Sequence, residues 1–150
     1  MNRLQTMSAL LALSVFAAGH LRADDAGVVP TESVARMNGE QIYTHICQGC
    51  HMPGGVGATG AGFYPKLAGD KKLVSWEFAA ITVLNGRNAM PPFGVPSAGG
   101  GQFLATQLTD AQVADVVNYV RSHFDNKYKP NVSADKVQQL PHPSSAAVPF

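Results

Sequence analysis

Apolar positions recur most regularly late in the chain. Val113, Val116, Val117, Val120 and Phe124 fall at helical spacing and put one stripe on a helix. Just before them, Leu108-Thr109-Asp110-Ala111-Gln112-Val113 supplies a start signal. Thr109 with Gln112 forms a capping box, and Leu108 with Val113 a hydrophobic staple. A second stripe, Leu73, Glu77, Ala80, Ile81 and Leu84, has one polar member and meets a stop at Asn85-Gly86, which predicts a helix over 73–85. A third helical pattern starts at Asn38, runs through Ile42, Tyr43 and Ile46, and reaches Cys47. Between these runs, "PGGVGATGAG" (Pro53 to Gly62) and "RNAMPPFGVPSAGGG" (Arg87 to Gly101) read as loop. No strand pattern and no internal repeat stands out, so the expected class is all-α.

The ends of the chain read differently from its middle. Arg3, an apolar run from Met7 to Ala18, and small Ala23 mark residues 1–23 as a signal peptide. That run is well short of the roughly 20 apolar residues that cross a bilayer, so no membrane span is expected once the signal is removed. Residues 24–36, with Pro30 and no apolar period, read as a flexible lead-in to a domain over 37–124. Residues 125–150 form a C-terminal extension, in which Ser133 stands to cap a short helix to about Gln139 before a frayed tail. His45 and His142 are expected at the surface. Three short helices joined by glycine-rich loops make a thin core for 150 residues, so something apolar should fill the middle.

Charge and compartment narrow the picture. The chain has eleven Lys+Arg and ten Asp+Glu; losing Arg3 and Arg22 with the signal leaves nine basic residues against the ten. No basic run accompanies that balance, which argues against a nucleic-acid partner. Export implies a periplasmic location and an oxidising space, where an unprotected dithiol tends to form a disulfide.

That matters because the only two cysteines stand in "HICQGCHMPG", with His51 directly after Cys50. At the end of a helix, Cys47, Cys50 and His51 occupy i, i+3 and i+4 and share one face. A disulfide leaves the histidine unexplained. A thioredoxin-like dithiol belongs in a βαβ pattern that is absent here, and structural zinc wants four ligands. C-x-x-C-H is the attachment sequence of a c-type haem, each thiol forming a thioether and the imidazole approaching the iron. The expected cofactor is therefore one covalently attached haem c per chain.

For the opposite side of the iron, position reduces the methionines. Met1 and Met7 leave with the signal, Met52 adjoins His51, and Met37 precedes the first helix. Met90 remains, in "NAMPPFG", where Pro91 and Pro92 remove two N–H donors and hold it extended. Its bland alternative is a loop residue filling a gap in the core.

Taken together, "GEQIYTHICQGCH", "YPKLAG", "NGRNAMPPF" and "LTDAQVADVVNYVRSHF" resemble the small monohaem class I c-type cytochromes of bacteria, over about Met37 to Phe124. The resemblance implies an all-α class I cytochrome c fold, three to four helices wrapped around one haem. Gly39 and Tyr43 match the first helix's crossing positions, with Tyr119 opposite. It implies His51 and Met90 as metal ligands, a Pro65 carbonyl accepting from the far nitrogen of His51, and Leu67 against the haem face. The stretches around "YPKLAG" and "SHFDNKYKP" resemble periplasmic acceptors for flavin- or quinone-dependent dehydrogenases. That implies a one-electron carrier rather than an enzyme, taking electrons from such a dehydrogenase and passing them to an oxidase or another cytochrome of a respiratory chain. Two rivals are a peroxidase-like or gas-binding haem with an open site, and a fixed cytochrome subunit of a dehydrogenase complex. Trp76, Arg87 and Tyr64 are weaker candidates for the haem propionates. The Gly94–Gln107 link is longer than the family usually has.

Overall fold

The structure, a computed structural model, describes residues 31–60, 62–96 and 106–144. Residues 1–23, read above as a signal peptide, lead-in residues 24–30, Ala61, positions 97–105 of the long link, and the tail from 145 lie outside the described residues. The helical segments are α1 (Thr31–Val34), α2 (Gly39–Ile42), α3 (Gln48–His51), α4 (Trp76–Asn85), α5 (Asp110–Ser122) and α6 (Ala134–Gln138). Among the described residues no helix is long and apolar enough to cross a membrane.

The first helical stretch opens with a capping box. The Asn38 side chain accepts from the Gln41 N–H while the Gln41 side chain accepts from that of Asn38, both at 3.0 Å. α2 passes into a π-helical turn over Tyr43–Cys47, where the Gln48 N–H reaches back to the Tyr43 carbonyl, and continues as α3. It crosses α5 at Gly39, where a Cβ would collide with the Asp115 carbonyl, so only glycine lets the two backbones approach. Beside that contact the Tyr43 and Tyr119 rings lie 5.8 Å apart, and Tyr43 and Phe124 4.6 Å apart. Ile42, Val113 and Leu84 are fully buried, and each such side chain contributes about 1.5–3 kcal/mol by leaving water.

The middle helix begins later than the apolar stripe predicts. Lys71–Val74 form a 3₁₀ turn capped by Asp70, and Ser75 then starts α4 by accepting from the Phe78 N–H at 3.1 Å. The helix is broken at Ser75, and Leu73 is buried in the same core from the 3₁₀ turn before it. The buried face is Ala79, Ala80 and Leu84, while Ile81 joins Glu77 outside. At α5 the capping box and both staple residues stand as the pattern requires, with Thr109 accepting from the Gln112 N–H and Leu108 and Val113 buried. Two short antiparallel strands, β1 (Ala58–Thr59) and β2 (Phe63–Tyr64), correct the reading of that loop as free of strand. Two residues each are too few to leave an alternating signature.

Both ends of the domain are more ordered than the sequence suggests. From residue 31 the lead-in is helical, and buried Val34 offers its carbonyl to the Gln112 side chain. The described part of the C-terminal extension packs along α5, with the expected short helix at Ala134–Gln138. Buried Arg121 donates from Nε to the Leu73 carbonyl (2.9 Å) and from Nη1 to the Lys129 carbonyl and Asn131 Oδ1 (both 3.0 Å). The Asn118 side chain pairs with the Val132 backbone in both directions, and Val137 on α6 is fully buried. His142 is no free surface residue: its Nδ1 donates to the Leu140 carbonyl (2.8 Å) and its Nε2 meets Asp110 Oδ1 (2.7 Å).

Candidate haem-binding site

The π turn delivers Cys47 half-buried, and α3 then carries exposed Cys50 and buried His51. π turns inside helices recur at functional sites because the extra residue redirects the side chains that follow. The stretch ends abruptly at Met52, whose φ of 63° and ψ of 161° lie in a region that side chains other than glycine's avoid. Its carbonyl is held by the Tyr43 hydroxyl at 2.7 Å and the Gly55 N–H at 3.1 Å. The chain is thereby turned back directly after the histidine.

What it turns back to is the "YPKLAG" segment. His51 Nδ1 lies 3.0 Å from the Pro65 carbonyl oxygen. A carbonyl only accepts, so Nδ1 carries the proton and the neutral ring keeps its lone pair on Nε2, the form in which imidazole binds a metal. Gly57 makes this approach possible. It donates to the His51 carbonyl at 3.0 Å, has φ of 69°, and a Cβ on it would stand 2.5 Å from the Tyr64 carbonyl and 2.7 Å from the Lys66 nitrogen. Leu67 and Ala68 both donate to the Gly55 carbonyl, at 2.8 and 2.9 Å, leaving Leu67 half-buried beside Phe124 and Gly55.

Met90 is positioned by a separate element. Arg87 and Met90 exchange two backbone hydrogen bonds of 3.0 Å across a two-residue turn, with Asn88 at φ of 53°. After Pro91 and Pro92, Phe93 and Gly94 donate to the Val83 and Leu84 carbonyls at 3.0 Å, closing the loop at its neck on the last turn of α4. Those carbonyls have no partner within the helix, so the loop end doubles as its cap. Met37, a rejected ligand candidate, packs against the core.

The donors fit a haem better than the alternatives. Cys47 and Cys50 are not bridged, and the Cys47 thiol is pushed up to about 12, by burial first and then by Cys50. Among the described residues no three His, Cys, Asp or Glu gather as a metal cluster would require. Val56, Phe63, Tyr64 and Val95, exposed apolar or aromatic side chains, stand in the segments flanking His51 and Met90. Of the weaker candidates, Arg87 lies over the Phe78 ring at 5.3 Å, Trp76 lies under the Lys136 ammonium at 5.7 Å, and Tyr64 is exposed. Two contributors escaped sequence reasoning. Gly57 is one of several glycines in its loop, and Asn126, whose side chain donates to the Leu67 carbonyl at 3.0 Å, stands in "SHFDNKYKP" with nothing local to single it out.

Comparison with known proteins agrees with this geometry. Residues 37–124 match the cytochrome c family, a match that implies the class I cytochrome fold. The chain is 32% identical over 104 residues to the cytochrome c subunit of the quinone alcohol dehydrogenase of Gluconobacter oxydans, covering 68% of this chain and 21% of that subunit. It is 34% identical over 113 residues to the fructose dehydrogenase cytochrome subunit of Gluconobacter japonicus, covering 69% and 22% respectively. Over 89 residues it is 34% identical to cytochrome c6 of Alaria esculenta, covering 59% of this chain and 91% of that protein. The chain thus spans about a fifth to a quarter of the dehydrogenase subunits it matches but 91% of that cytochrome c6. It belongs to the cytochrome c family, with covalently attached haem c.

Proposed function

We propose that this chain is a periplasmic one-electron carrier, with Cys47 and Cys50 as the two thioether anchors and His51 and Met90 as the axial ligands. The observation that carries the reading is the hydrogen bond from His51 Nδ1–H to the Pro65 carbonyl, beside two unbridged cysteines on one helical stretch. Bound by these residues, haem c supplies the iron centre that accepts and releases one electron.

The chain's own residues do the rest. The Pro65 carbonyl fixes the tautomer and ring orientation of His51. Met90 offers a soft thioether sulfur that favours the reduced metal and, with histidine opposite, raises the potential. Leu67 and the apolar faces of the helices exclude water and disfavour the extra positive charge of the oxidised state. If His51 and Met90 both hold the iron, nothing would be left for substrate, which separates a carrier from a peroxidase-like or gas-binding protein. Helices wrapped around a single haem complete the domain over 37–124, with 1–23 removed on export and 125–150 as an extension.

The similarity to dehydrogenase cytochrome subunits supports a flavin- or quinone-dependent dehydrogenase as electron donor and an oxidase or another cytochrome of a respiratory chain as acceptor. The same similarity favours a second reading, a cytochrome fixed in a dehydrogenase complex. Spectroscopy of the purified holoprotein tests the ligation. Six-coordinate iron that ignores carbon monoxide supports the carrier, and ready binding of carbon monoxide overturns it. Co-purification with a dehydrogenase through salt washes selects the fixed-subunit reading.

A further inference from the structure

Asn126 lies two residues beyond the family match and is 5% exposed. Phe124 and Asp125, at φ of 57° and 63°, are consecutive non-glycine residues in the left-handed region, and they swing the chain back beneath the end of α5. There the Asn126 side-chain amide donates twice, to the Val120 carbonyl at 2.9 Å and to the Leu67 carbonyl at 3.0 Å. The first bond satisfies one of the carbonyls that the end of a helix leaves open. The second reaches the segment whose Pro65 carbonyl accepts from His51. The price is visible: Asn126 Oδ1 is buried with no hydrogen-bond partner among the described residues. An orphaned buried acceptor is unfavourable, and an apolar side chain of similar volume would avoid it. What the apolar side chain could not do is tie Leu67 to α5.

The rest of the segment is anchored to the histidine's own loop. Leu67 and Ala68 donate to the Gly55 carbonyl, and Gly57 donates to that of His51. Gly69 donates to the Phe124 carbonyl at 3.0 Å, so Asn126 and Phe124 together are where α5 grips residues 67–69.

We propose that Asn126 is a positioning residue for the axial histidine. By fixing the Leu67 carbonyl against the end of α5, it sets where the Pro65 carbonyl stands, and so how strongly that carbonyl holds the His51 Nδ1 proton. This rests on the proposed ligation by His51. A stronger hydrogen bond there makes the imidazole a better electron donor and favours the oxidised metal; a looser one favours the reduced metal.

The test uses the holoprotein with Asn126→Leu and the milder Asn126→Ser, and Asn131→Ala as a control. The control loosens the extension at Arg121 without touching Leu67. Two quantities are read: solvent exchange of the His51 Nδ1 proton by NMR, and the reduced-to-oxidised ratio at the wild-type midpoint potential. Both Asn126 variants should exchange that proton faster and shift the ratio toward reduced by roughly two- to tenfold, the change expected for weakening one hydrogen bond. Asn131→Ala should lower thermal stability and leave both readings at wild type. If the Asn126 variants lose stability while proton and ratio stay unchanged, or if Asn131→Ala moves the ratio as far, the proposal is overturned and the ligation stands. A wild-type protein with no haem-shifted imidazole resonance overturns the ligation and this inference together.

Discussion

His51 and Met90 are held in opposite ways. His51 is buried on a helical stretch directly after Cys47 and Cys50; Pro65 holds its ring, and the backbone around it is pinned from Tyr43, Gly55 and Gly57. Met90 is half-buried on a two-residue turn, and among the described residues its loop is tied to itself, to the last turn of α4 and, through the Phe93 carbonyl, to the Leu108 N–H just before α5. One side is local in sequence and anchored at many points, while the other is a short clamp. The difference teaches where each property of the site resides. Under the proposed ligation, assembly and tautomer would depend on the histidine side, and a closed sixth position on the methionine side.

The most severe way to break the histidine side is to remove its covalent anchors. With Cys47→Ala and Cys50→Ala together, haem should extract into acid–acetone and the chain should lose its cooperative thermal transition by circular dichroism. The core named above is small for 150 residues, and the cofactor is expected to complete it. Met90→Ala should act on the other side alone. The fold should persist, carbon monoxide should bind, and the potential should fall by a fraction of the roughly 0.8 V that axial ligands span. Retained haem in the first variant, or an unchanged potential in the second, would dissolve the contrast.

Two glycines allow a finer comparison, because each has positive φ and touches the backbone of one ligand segment. A Cβ at Gly57 would stand 2.5 Å from the Tyr64 carbonyl, and one at Gly86 2.5 Å from that of Met90. Gly57→Ala and Gly86→Ala should each cost about 1–3 kcal/mol of stability. Their spectra should differ. Gly57→Ala should perturb the His51 Nδ1 proton and keep the sixth ligand, whereas Gly86→Ala should let carbon monoxide compete with Met90. Identical effects of the two variants on both signals would mean that the ligand segments do not act as separate clamps.

Sequence reading reached the parts whose causes are local. The capping box and staple at α5 were legible because a few adjacent residues specify them, and so was C-x-x-C-H, because thioether attachment needs that spacing. The start of α4 was placed too early because an apolar stripe does not reveal that Ser75 interrupts it. Gly57 could not be told from Gly54 or Gly60 in the same loop. Around those two the space for a Cβ is open, and only the return of residues 64–66 makes Gly57 different. Asn126 and His142 were missed for a related reason. Their partners Leu67 and Asp110 lie 59 and 32 residues away, and a polar run after the last helix looks like any solvated tail.

The His142 strap offers the mildest way to sharpen the contrast, because it belongs to the methionine side. The Asn85 side chain donates to the Pro141 carbonyl at 2.8 Å, just where α4 gives way to the Met90 loop, and Asp110 begins α5. His142 Nδ1 faces a carbonyl, so in the neutral ring Nε2 would turn a lone pair toward the Asp110 carboxylate. Protonation gives both nitrogens a hydrogen to donate. The hydrogen bond to Asp110 leads in raising the pKa of His142 above its ordinary 6.5; burial opposes, while the Leu140 carbonyl and the charge of Asp110 add to the rise. A raised folded-state pKa gives stability that is full below the unfolded value and is lost as pH climbs through the folded one. Comparing wild type with His142→Gln, the gap in melting temperature should be widest near pH 5 and should close above pH 8, approximately. The gap should be small, since His142 is only partly shielded from water and solvent screens the pair. Carbon monoxide binding should follow the gap slightly, rising at high pH as the strap slackens near the base of the Met90 loop, while the exchange of the His51 Nδ1 proton should stay flat. If that exchange quickens instead, the strap is coupled to the histidine side and the two clamps are one.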